Sequence, residues 1–409
     1  MRITFINQFY KPDVAPTGQL TAGVAEHFAK LGHEVTVIAS RGGYVDHDHE
    51  ANSEQQDNLH VCRIWTPRLG KSSTIKRCID YLVFYVLTFL RMLTLRRQDV
   101  VILLTTPPYI AWAGVAHKLL HRRCRLILWN MDCYPEVAER AGAMTPAGTI
   151  AKVMYWLNRR LFNRLDHLIC LDHAMADLLH HYHAKRDAAG RPLPVTVIPN
   201  WEKLADYPAE AQADRWEGID EHGLKERFVV LYMGNMGFGH DFDAVLKAAE
   251  QLKDEPIIFL FIGGGKRQAE VAQSAQSRGL QHVITRPYLP WEQVPQAMAA
   301  GSCALITLRD DMLGVMSPSK VHANLAAGLP ILYVGPKGSN VDEAVTAFGC
   351  GLSARHDQPD EIARFILSMM TNPEQHHRLR ISARAAFDQQ YNDSQTLPQF
   401  ETLIQQHDQ

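Results

Sequence analysis

The chain is poor in the features that mark secreted, metal-bound, nucleic-acid-binding or membrane-spanning proteins. Its seven cysteines (Cys62, Cys78, Cys124, Cys133, Cys170, Cys303 and Cys350) are scattered, odd in number and without ligand spacing. That pattern indicates reduced thiols rather than a disulfide framework or a zinc site. An excess of one charge is missing too. A formal net charge of −2 gives no global pull toward nucleic acid, so no nucleic-acid partner is expected and any basic surface must be local. The longest apolar run, Ile79 to Leu95, is cut by Asp80 and Arg91, short of the roughly 20 apolar residues a spanning helix needs. Met1-Arg2 leads straight into an apolar strand, so no signal peptide is expected and the protein reads as cytoplasmic. Metal-binding carboxylate pairs are also lacking. Arg309-Asp310-Asp311 starts a loop, and Asp46-His47-Asp48-His49-Glu50 lies in a polar insertion over 41–60 that reads as a solvated loop.

What is present is an ordinary globular composition, 46% hydrophobic and 21% charged over 409 residues, enough for two domains of about 200 residues each. A nucleotide-binding βα unit opens twice. Arg2 to Asn7 is an apolar run, followed by a loop with Pro12, Pro16 and Gly18, a helical pattern closed by Gly32, and a second strand over Glu34 to Ala39. From Phe228 the design recurs: an apolar run to Met233, then Gly234-Asn235-Met236-Gly237, an amphipathic stretch to Leu252, and Ile257 to Ile262. In such a unit the helix N-terminus offers free N–H groups and a positive dipole end to phosphate. Further strands are expected over 99–104, 125–129, 166–171, 195–200, 283–286, 303–307 and 330–334, alternating with helices. Alternation of this kind defines an α/β protein with doubly wound parallel sheets. The expected organisation is a Rossmann-like domain over 1–200, a linker rich in Asp, Glu and Ala over 201–226, and a second Rossmann-like domain over 227–387. The polar-amphipathic C-terminal helix from about 388 is expected to pack back on the first domain, and a cleft is expected between the two.

Two readings of the stretch Tyr81 to Leu95 stay open. One buries it as a helix on the sheet. The other rests a basic-rimmed helix on an anionic leaflet, with support from Arg96, Arg97, Arg122, Arg123, Arg125, Arg159, Arg160 and Arg164, all in the N-terminal half. His180, His181 and His183 at the polar end of a helix read as surface residues.

Ser317-Pro318-Ser319-Lys320 places a hydroxyl and an ammonium in a first helical turn, where the dipole mildly disfavours a cation, so the lysine points to an anionic ligand. Ala326-Ala327-Gly328-Leu329-Pro330 ends that helix. Together with Gly234-Asn235-Met236-Gly237 and Phe261-Ile262-Gly263-Gly264-Gly265, these segments resemble glycosyltransferase family 4, and Gly18, Gly32-His33-Glu34-Val35 and Pro199-Asn200 extend the likeness along most of the chain. Asp132-Cys133-Tyr134-Pro135-Glu136 and Gly239-His240-Asp241 are similar to the branch that builds bacterial surface polysaccharides.

The resemblance implies a GT-B fold of two facing domains and a retaining transfer from a nucleotide-sugar, UDP-linked, to a lipid-linked or saccharide acceptor. No cofactor and no metal are expected, and the apolar stretch Tyr81 to Leu95 with its neighbouring arginines adds an expected peripheral contact of the acceptor side with the anionic inner leaflet. Gly234, Asn235, Met236, Gly237, Ser319 and Lys320 would hold the diphosphate, aided by His240 and Arg309. Arg286 and Tyr288 would lie against the base, Gly18 would approach the phosphates, and Asp132 would face the reacting sugar, which with Lys320 makes the catalytic pair. Two departures accompany this. The paired glutamates usual in the family fall at Val315 and Ala323, with Asp342 or Glu343 as possible substitutes, and a basic residue common in relatives is Phe238. An inverting transferase, a nucleotide-sugar epimerase and a non-catalytic binding subunit are the competing readings.

Overall fold

A computed structural model describes the chain apart from residues 14, 42–52, 68–73, 184–191, 208–215, 217, 222 and 406–409. The Asp46 to Glu50 tract and the middle of the expected linker therefore lie outside the described residues. The chain divides into two compact units, Met1–Ile198 with Leu397–Gln409, and Pro199–Thr396.

In the first unit, β1 (Arg2–Ile6), α1 (Pro16–Lys30) and β2 (Glu34–Ser40) form the opening βαβ. Then come β3 (Ser53–Gln56), β4 (Leu59–Ile64), α2 (Thr74–Thr94), β5 (Val100–Leu104), α3 (Ala111–Leu120) and β6 (Arg125–Trp129). The unit continues with α4 (Glu136–Arg140), α5 (Thr149–Phe162), β7 (His167–Cys170), α6 (His173–Leu179) and β8 (Val195–Val197). The strands pair in the order β3-β4-β2-β1-β5-β6-β7-β8, all parallel except the antiparallel edge β3–β4. Every residue of β5 is buried, as expected for a strand covered on both faces.

Residues 53–60 do not belong to the solvated loop expected over 41–60. Leu59 and Val61 are buried and alternate with the half-buried His60 and Cys62, the period of a half-covered strand, before Arg63 and Ile64 end it with both faces covered. The polar residues around them masked that alternation.

Helix α2 is not buried all round, as one reading of its apolar stretch has it. Phe84, Thr88 and Met92 are buried, while Ile79, Leu82, Val86, Phe89, Leu90 and Leu93 are exposed. The helix therefore seats one stripe and leaves an apolar stripe outside. His117 locks it down. Its Nδ1–H donates to the Met92 carbonyl at 2.8 Å, and its Nε2 accepts from the Gln98 N–H at 3.3 Å, the neutral tautomer that burial also favours.

The second unit holds α7 (Gly218–Glu221), β9 (Phe228–Met233), α8 (Asp243–Gln251), β10 (Ile257–Ile262), α9 (Gln268–Ser277), β11 (Val283–Arg286) and α10 (Val294–Ala299). It continues with β12 (Cys303–Thr307), α11 (Lys320–Ala326), β13 (Ile331–Val334), α12 (Asn340–Phe348), β14 (Gly351–Ala354), α13 (Pro359–Thr371) and α14 (Pro373–Gln390). Its six strands are parallel in the order β11-β10-β9-β12-β13-β14. The short edge strand β14, rich in small residues, carried no readable pattern. The cysteines whose side chains are described (all but Cys78) are unbridged.

Helix α15 (Asp393–Gln405) starts in the second unit, and from Leu397 onward it belongs to the first. Three contacts fix it there. Phe400 packs edge-on against Trp129 with ring centroids 4.8 Å apart. Glu401 meets His27 at 2.5 Å. Arg125 donates to the Ile404 and Leu403 carbonyls at 2.8 and 3.3 Å, a cation on the unsatisfied end of a helix. Arg125 is thus spent on the fold and leaves the set of surface arginines. We expect Phe400→Ala to cost about 3–5 kcal/mol in urea unfolding, the range for emptying a buried aromatic site. A loss under about 1 kcal/mol would mean that this helix is not docked as described.

Candidate functional site

In each sheet the strand order reverses at one point, and the loops leaving the carboxyl ends of the strands there part to form a crevice. In the second unit that point lies between β9 and β12. The loop after β9 carries Gly234 to His240, and the loop after β12 leads through Arg309 to Ser319 and Lys320. One hydrogen-bond relay joins them. His240 is buried, and its Nδ1 lies 2.7 Å from the Thr307 carbonyl oxygen. A carbonyl only accepts, so Nδ1 carries the proton and Nε2 is an acceptor. The Lys320 ammonium donates to that Nε2 at 3.1 Å and to the Asn235 carbonyl at 3.2 Å. It also lies over the Tyr232 ring, 4.8 Å from its centroid, a cation–π placement.

The glycines are explained by this crossing. Gly234 has φ +124°, and a Cβ there would sit 2.8 Å from Lys320 Cε. Gly263 has φ +144°, and its Cβ would fall 2.0 Å from the Gly234 carbonyl oxygen. Only glycine lets both backbones pass. The N–H groups of Gly234 and Met236 are used within the loop pair, bonding Ile262 and Gly264 carbonyls at 2.8 and 2.6 Å. Met236 is a scaffold residue with its side chain in the core, whereas Asn235 is exposed.

Lys320 is half-buried, so water still reaches the site. Desolvation nevertheless lowers its pKa to about 7. Burial, then the neighbouring Lys320 charge, lowers His240 to about 3, so the imidazole stays neutral and serves as an acceptor. An anion entering here would restore the full ammonium and offset its desolvation.

The remaining candidates divide. Ser319 occupies the N-cap of α11 without a side-chain cap bond. Arg309 steadies the glycine loop through the Phe238 carbonyl at 3.2 Å and pairs with Asp311 at 2.6 Å. Arg286, at the end of β11, is held by both Glu221 oxygens at 2.8 and 2.9 Å. Tyr288 is exposed and lies against Gly264, which the Met236 N–H ties to the glycine loop. Val315 is fully buried and Ala323 half-buried. Asp342 is committed to Gly338 N–H, Ser353 and Arg355 at 2.8, 2.5 and 2.9 Å. It holds the loop between β13 and α12. Glu343 lies half-buried in the first turn of α12. Sequence reading missed Thr307 and Tyr232. A tyrosine one residue short of the end of β9 was the available sign.

In the first unit the reversal lies between β1 and β5, and the Gln8 N–H bridges it to the Thr106 carbonyl at 2.8 Å. Gly18 is buried in the first turn of α1, and a Cβ there would lie 3.2 Å from the Phe9 and Tyr10 backbone. Its smallness thus serves packing within this unit. Asp132 follows β6. The N–H groups of Met131 and Asp132 both donate to Thr105 Oγ1, at 3.1 and 3.0 Å, which ties the β6 and β5 loops together. Asp132 lines a pocket with Thr105, Tyr109, Asn130, Tyr134 and Asn158. Its side chain meets solvent on one side, yet the protein crowding the other sides raises its pKa by desolvation. Among the described residues no cluster of three or more His, Cys, Asp or Glu is placed to hold a metal.

Two parallel-sheet units with crevices at their strand ends are the architecture of GT-B glycosyltransferases. Solved structures share it over nearly the whole chain. The sucrose-phosphate synthase of Thermosynechococcus elongatus matches with a TM-score of 0.72 at 15% identity, covering 99% of this chain and 98% of that one. Anabaena HepE in complex with UDP and glucose matches at 0.71 and 15%, covering 99% and 100%. Residues 17–201 match the family described as Glycosyl transferase 4-like domain, and residues 214–386 match Glycosyl transferases group 1. The chain is a glycosyltransferase of family 4. It is 25% identical over 340 residues to the putative colanic acid biosynthesis glycosyl transferase WcaI of Escherichia coli K12, covering 80% of this chain and 82% of that one. It is 28% identical over 312 residues to the probable glycosyltransferase WbjE of Pseudomonas aeruginosa, covering 73% of each.

Lys320→Ala is expected to weaken nucleotide-sugar binding while leaving the unfolding midpoint nearly unchanged, because a half-exposed lysine adds little to stability. In the wild type, affinity should be highest below pH 7, where Lys320 is already protonated. Above pH 7 it should fall by up to about tenfold per pH unit, with proton uptake on binding visible by calorimetry in buffers of different ionisation heat. A flat profile from pH 6 to 9 would remove Lys320 from the diphosphate site.

Proposed function

We propose that the protein transfers a sugar from a UDP-linked donor to a lipid-linked or saccharide acceptor in bacterial surface-polysaccharide assembly, with retention at the anomeric carbon. The observation that carries this is the Lys320 ammonium suspended at the β9/β12 crevice between His240 and Asn235. The names of WcaI and of the UDP-bound HepE structure support the acceptor class and the nucleotide.

In this reading the bond from the anomeric carbon to the β-phosphate oxygen breaks, and the acceptor oxygen bonds to that carbon on the same face. The acceptor proton passes to the departing phosphate oxygen, and UDP leaves. Lys320 meets the charge that develops on the diphosphate, as a pre-placed cation in a partly dry site does most effectively. His240 holds the amine in position through its neutral Nε2, and Thr307 fixes the imidazole. Gly234, Asn235, Gly237 and Ser319 let the diphosphate approach the backbone. Tyr288 offers a face to the base, with Arg286 beside it. Asp132, with its pKa raised, orients the sugar or the acceptor hydroxyl from the first unit. No metal is called for, because lysine supplies the charge that a divalent ion supplies elsewhere. The reaction belongs at the cytoplasmic leaflet, where a lipid-linked acceptor would be met.

UDP-sugars at about 100 times their Kd should stabilise the protein by about 2.7 kcal/mol, visible as a rise in Tm that other nucleotide-sugars produce less strongly. With the donor so found, the product should keep the donor's anomeric configuration, and EDTA should leave turnover intact. Inverted product would replace this reading by an inverting transferase. Loss of activity in EDTA with recovery on Mg²⁺ would refute the lysine-only account of the diphosphate.

A further inference from the structure

The turn Pro318-Ser319-Lys320 is braced from two sides, and only one of them belongs to the relay around Lys320. The other brace comes from α12. Asn340, in the first turn of that helix, is 8% exposed, and its Nδ2 donates to the Pro318 carbonyl at 3.2 Å. A carbonyl only accepts, so the amide nitrogen has to be the atom that faces it. The other end of the same amide is left over. Asn340 Oδ1 is buried without a hydrogen-bond partner. One buried bond made and one buried acceptor left unmet roughly offset each other, so stability gives no reason for an amide at this position.

Asn340 stands on a rigid base. Its neighbour Ser339 donates through Oγ to the Tyr333 hydroxyl at 2.8 Å and accepts from the Asp342 N–H at 3.2 Å. Asp342 is tied in turn to Arg355 at 2.9 Å. Gly335 brings the loop after β13 so near the end of β12 that a Cβ there would lie 2.7 Å from the Leu308 carbonyl oxygen.

His322 grips the next carbonyl of the same turn. It is 2% exposed, its ring hydrogen-bonds the Ser319 carbonyl, and its Nε2 is buried without a partner. The Ser319 carbonyl already accepts from the His322 backbone N–H at 3.2 Å, so the ring is not needed to satisfy it. Two consecutive carbonyls are thus each held by a buried polar side chain that leaves an acceptor unpaired behind it. What the two share is the backbone that launches Lys320. The amine at the end of that side chain has to meet His240 Nε2 and the Asn235 carbonyl together, and a turn displaced by about 1 Å would spoil both bonds.

We infer that Asn340, seconded by His322, is the positioning residue of the diphosphate site, holding the Pro318-Ser319 backbone so that the Lys320 ammonium meets the phosphates of the donor. Asn340 acts through the turn and need not touch the ligand, as a supporting residue does when it locks a binding group in place. The inference rests on the proposed role of Lys320 at the diphosphate and is independent of the sugar and the base.

Calorimetric titration of the full chain with UDP and, separately, with inorganic pyrophosphate tests it, beside the unfolding midpoint and an NMR titration of the Lys320 amine. Asn340→Leu keeps the size and exchanges one buried orphan, Oδ1, for another, the Pro318 carbonyl, so the midpoint should stay close to that of the wild type. Affinity for both ligands should nevertheless fall about tenfold. The Lys320 pKa should rise toward the ordinary lysine range, because an amine released from His240 is better solvated. Asn340→Ser, too short to reach Pro318, should do the same and carries the test if the leucine variant misfolds. Wild-type affinity in both variants, with Lys320→Ala still impaired, would overturn the positioning role and leave the lysine in place. So would a lowered midpoint with the Lys320 amine unmoved, which would make Asn340 structural only. Binding of pyrophosphate but not UDP, weakened in both variants, would support the brace and refute the nucleotide assignment. A wild type that binds neither would refute the diphosphate reading and this inference with it.

Discussion

A single amine, stretched across the point where the second sheet reverses direction, sets the terms for everything around it. Lys320 reaches from the start of α11 to the loop after β9, and its ammonium is shared between His240 Nε2 and the Asn235 carbonyl. For that reach to exist, Gly234 must lack a side chain, because a Cβ would strike Lys320 Cε. For Gly234 to lie where it does, Gly263 must lack one too. His240 must be neutral and held by Thr307, or it could not accept a hydrogen bond from an ammonium. The glycines, the buried imidazole and the lysine are one arrangement, and each is intelligible only through the others.

That arrangement occupies the place where the family resemblance leads one to expect paired glutamates, at Val315 and Ala323. A carboxylate at position 315 would lie where Val315 is now fully buried, and burying an unpaired charge is costly. Here the cation carries the polar work, and its desolvation leaves it with an unmet demand for an anion. The carboxylates nearby are already committed, as Asp342 is to Arg355 and Ser353 and Asp311 is to Arg309. The first unit also bridges its loops, through the Thr106 carbonyl at the reversal between β1 and β5 and through Thr105 between the loops after β5 and β6. The helices covering the opposite strand faces serve separate ends. One set closes the core through Trp129 and Phe400, and the other presents α2 and α5 outward.

Much of this was legible in the sequence because buried parallel strands are written as continuous apolar runs. Phe228 to Met233 and Ile257 to Ile262 match their strands residue for residue. Strand β4 was hidden because its alternation sits among polar residues, and β14 because Gly351 and Ala354 carry no hydrophobic signal. Gly234 and Lys320 were legible as a pair, though the reason for the glycine was not. It lies in a contact between residues 86 positions apart, which no local pattern encodes. For the same reason, Arg286 and Arg309 read as free cations, while in the fold Glu221 and Asp311 neutralise them. Helix α2 misled in a different way. An apolar count does not distinguish a helix buried all round from one with an apolar stripe facing out, and only its packing on the sheet separates the two.

The central claim is that Lys320 is held at the crevice as an incompletely solvated cation awaiting a diphosphate. NMR titration of the Lys320 side-chain amine, assigned by comparison with Lys320→Arg, measures this without reference to turnover. The account predicts a pKa near 7 in the free protein, rising by more than one unit when a UDP-sugar is bound. A free-protein value in the ordinary lysine range near 10.4, unmoved by the nucleotide-sugar, would contradict it.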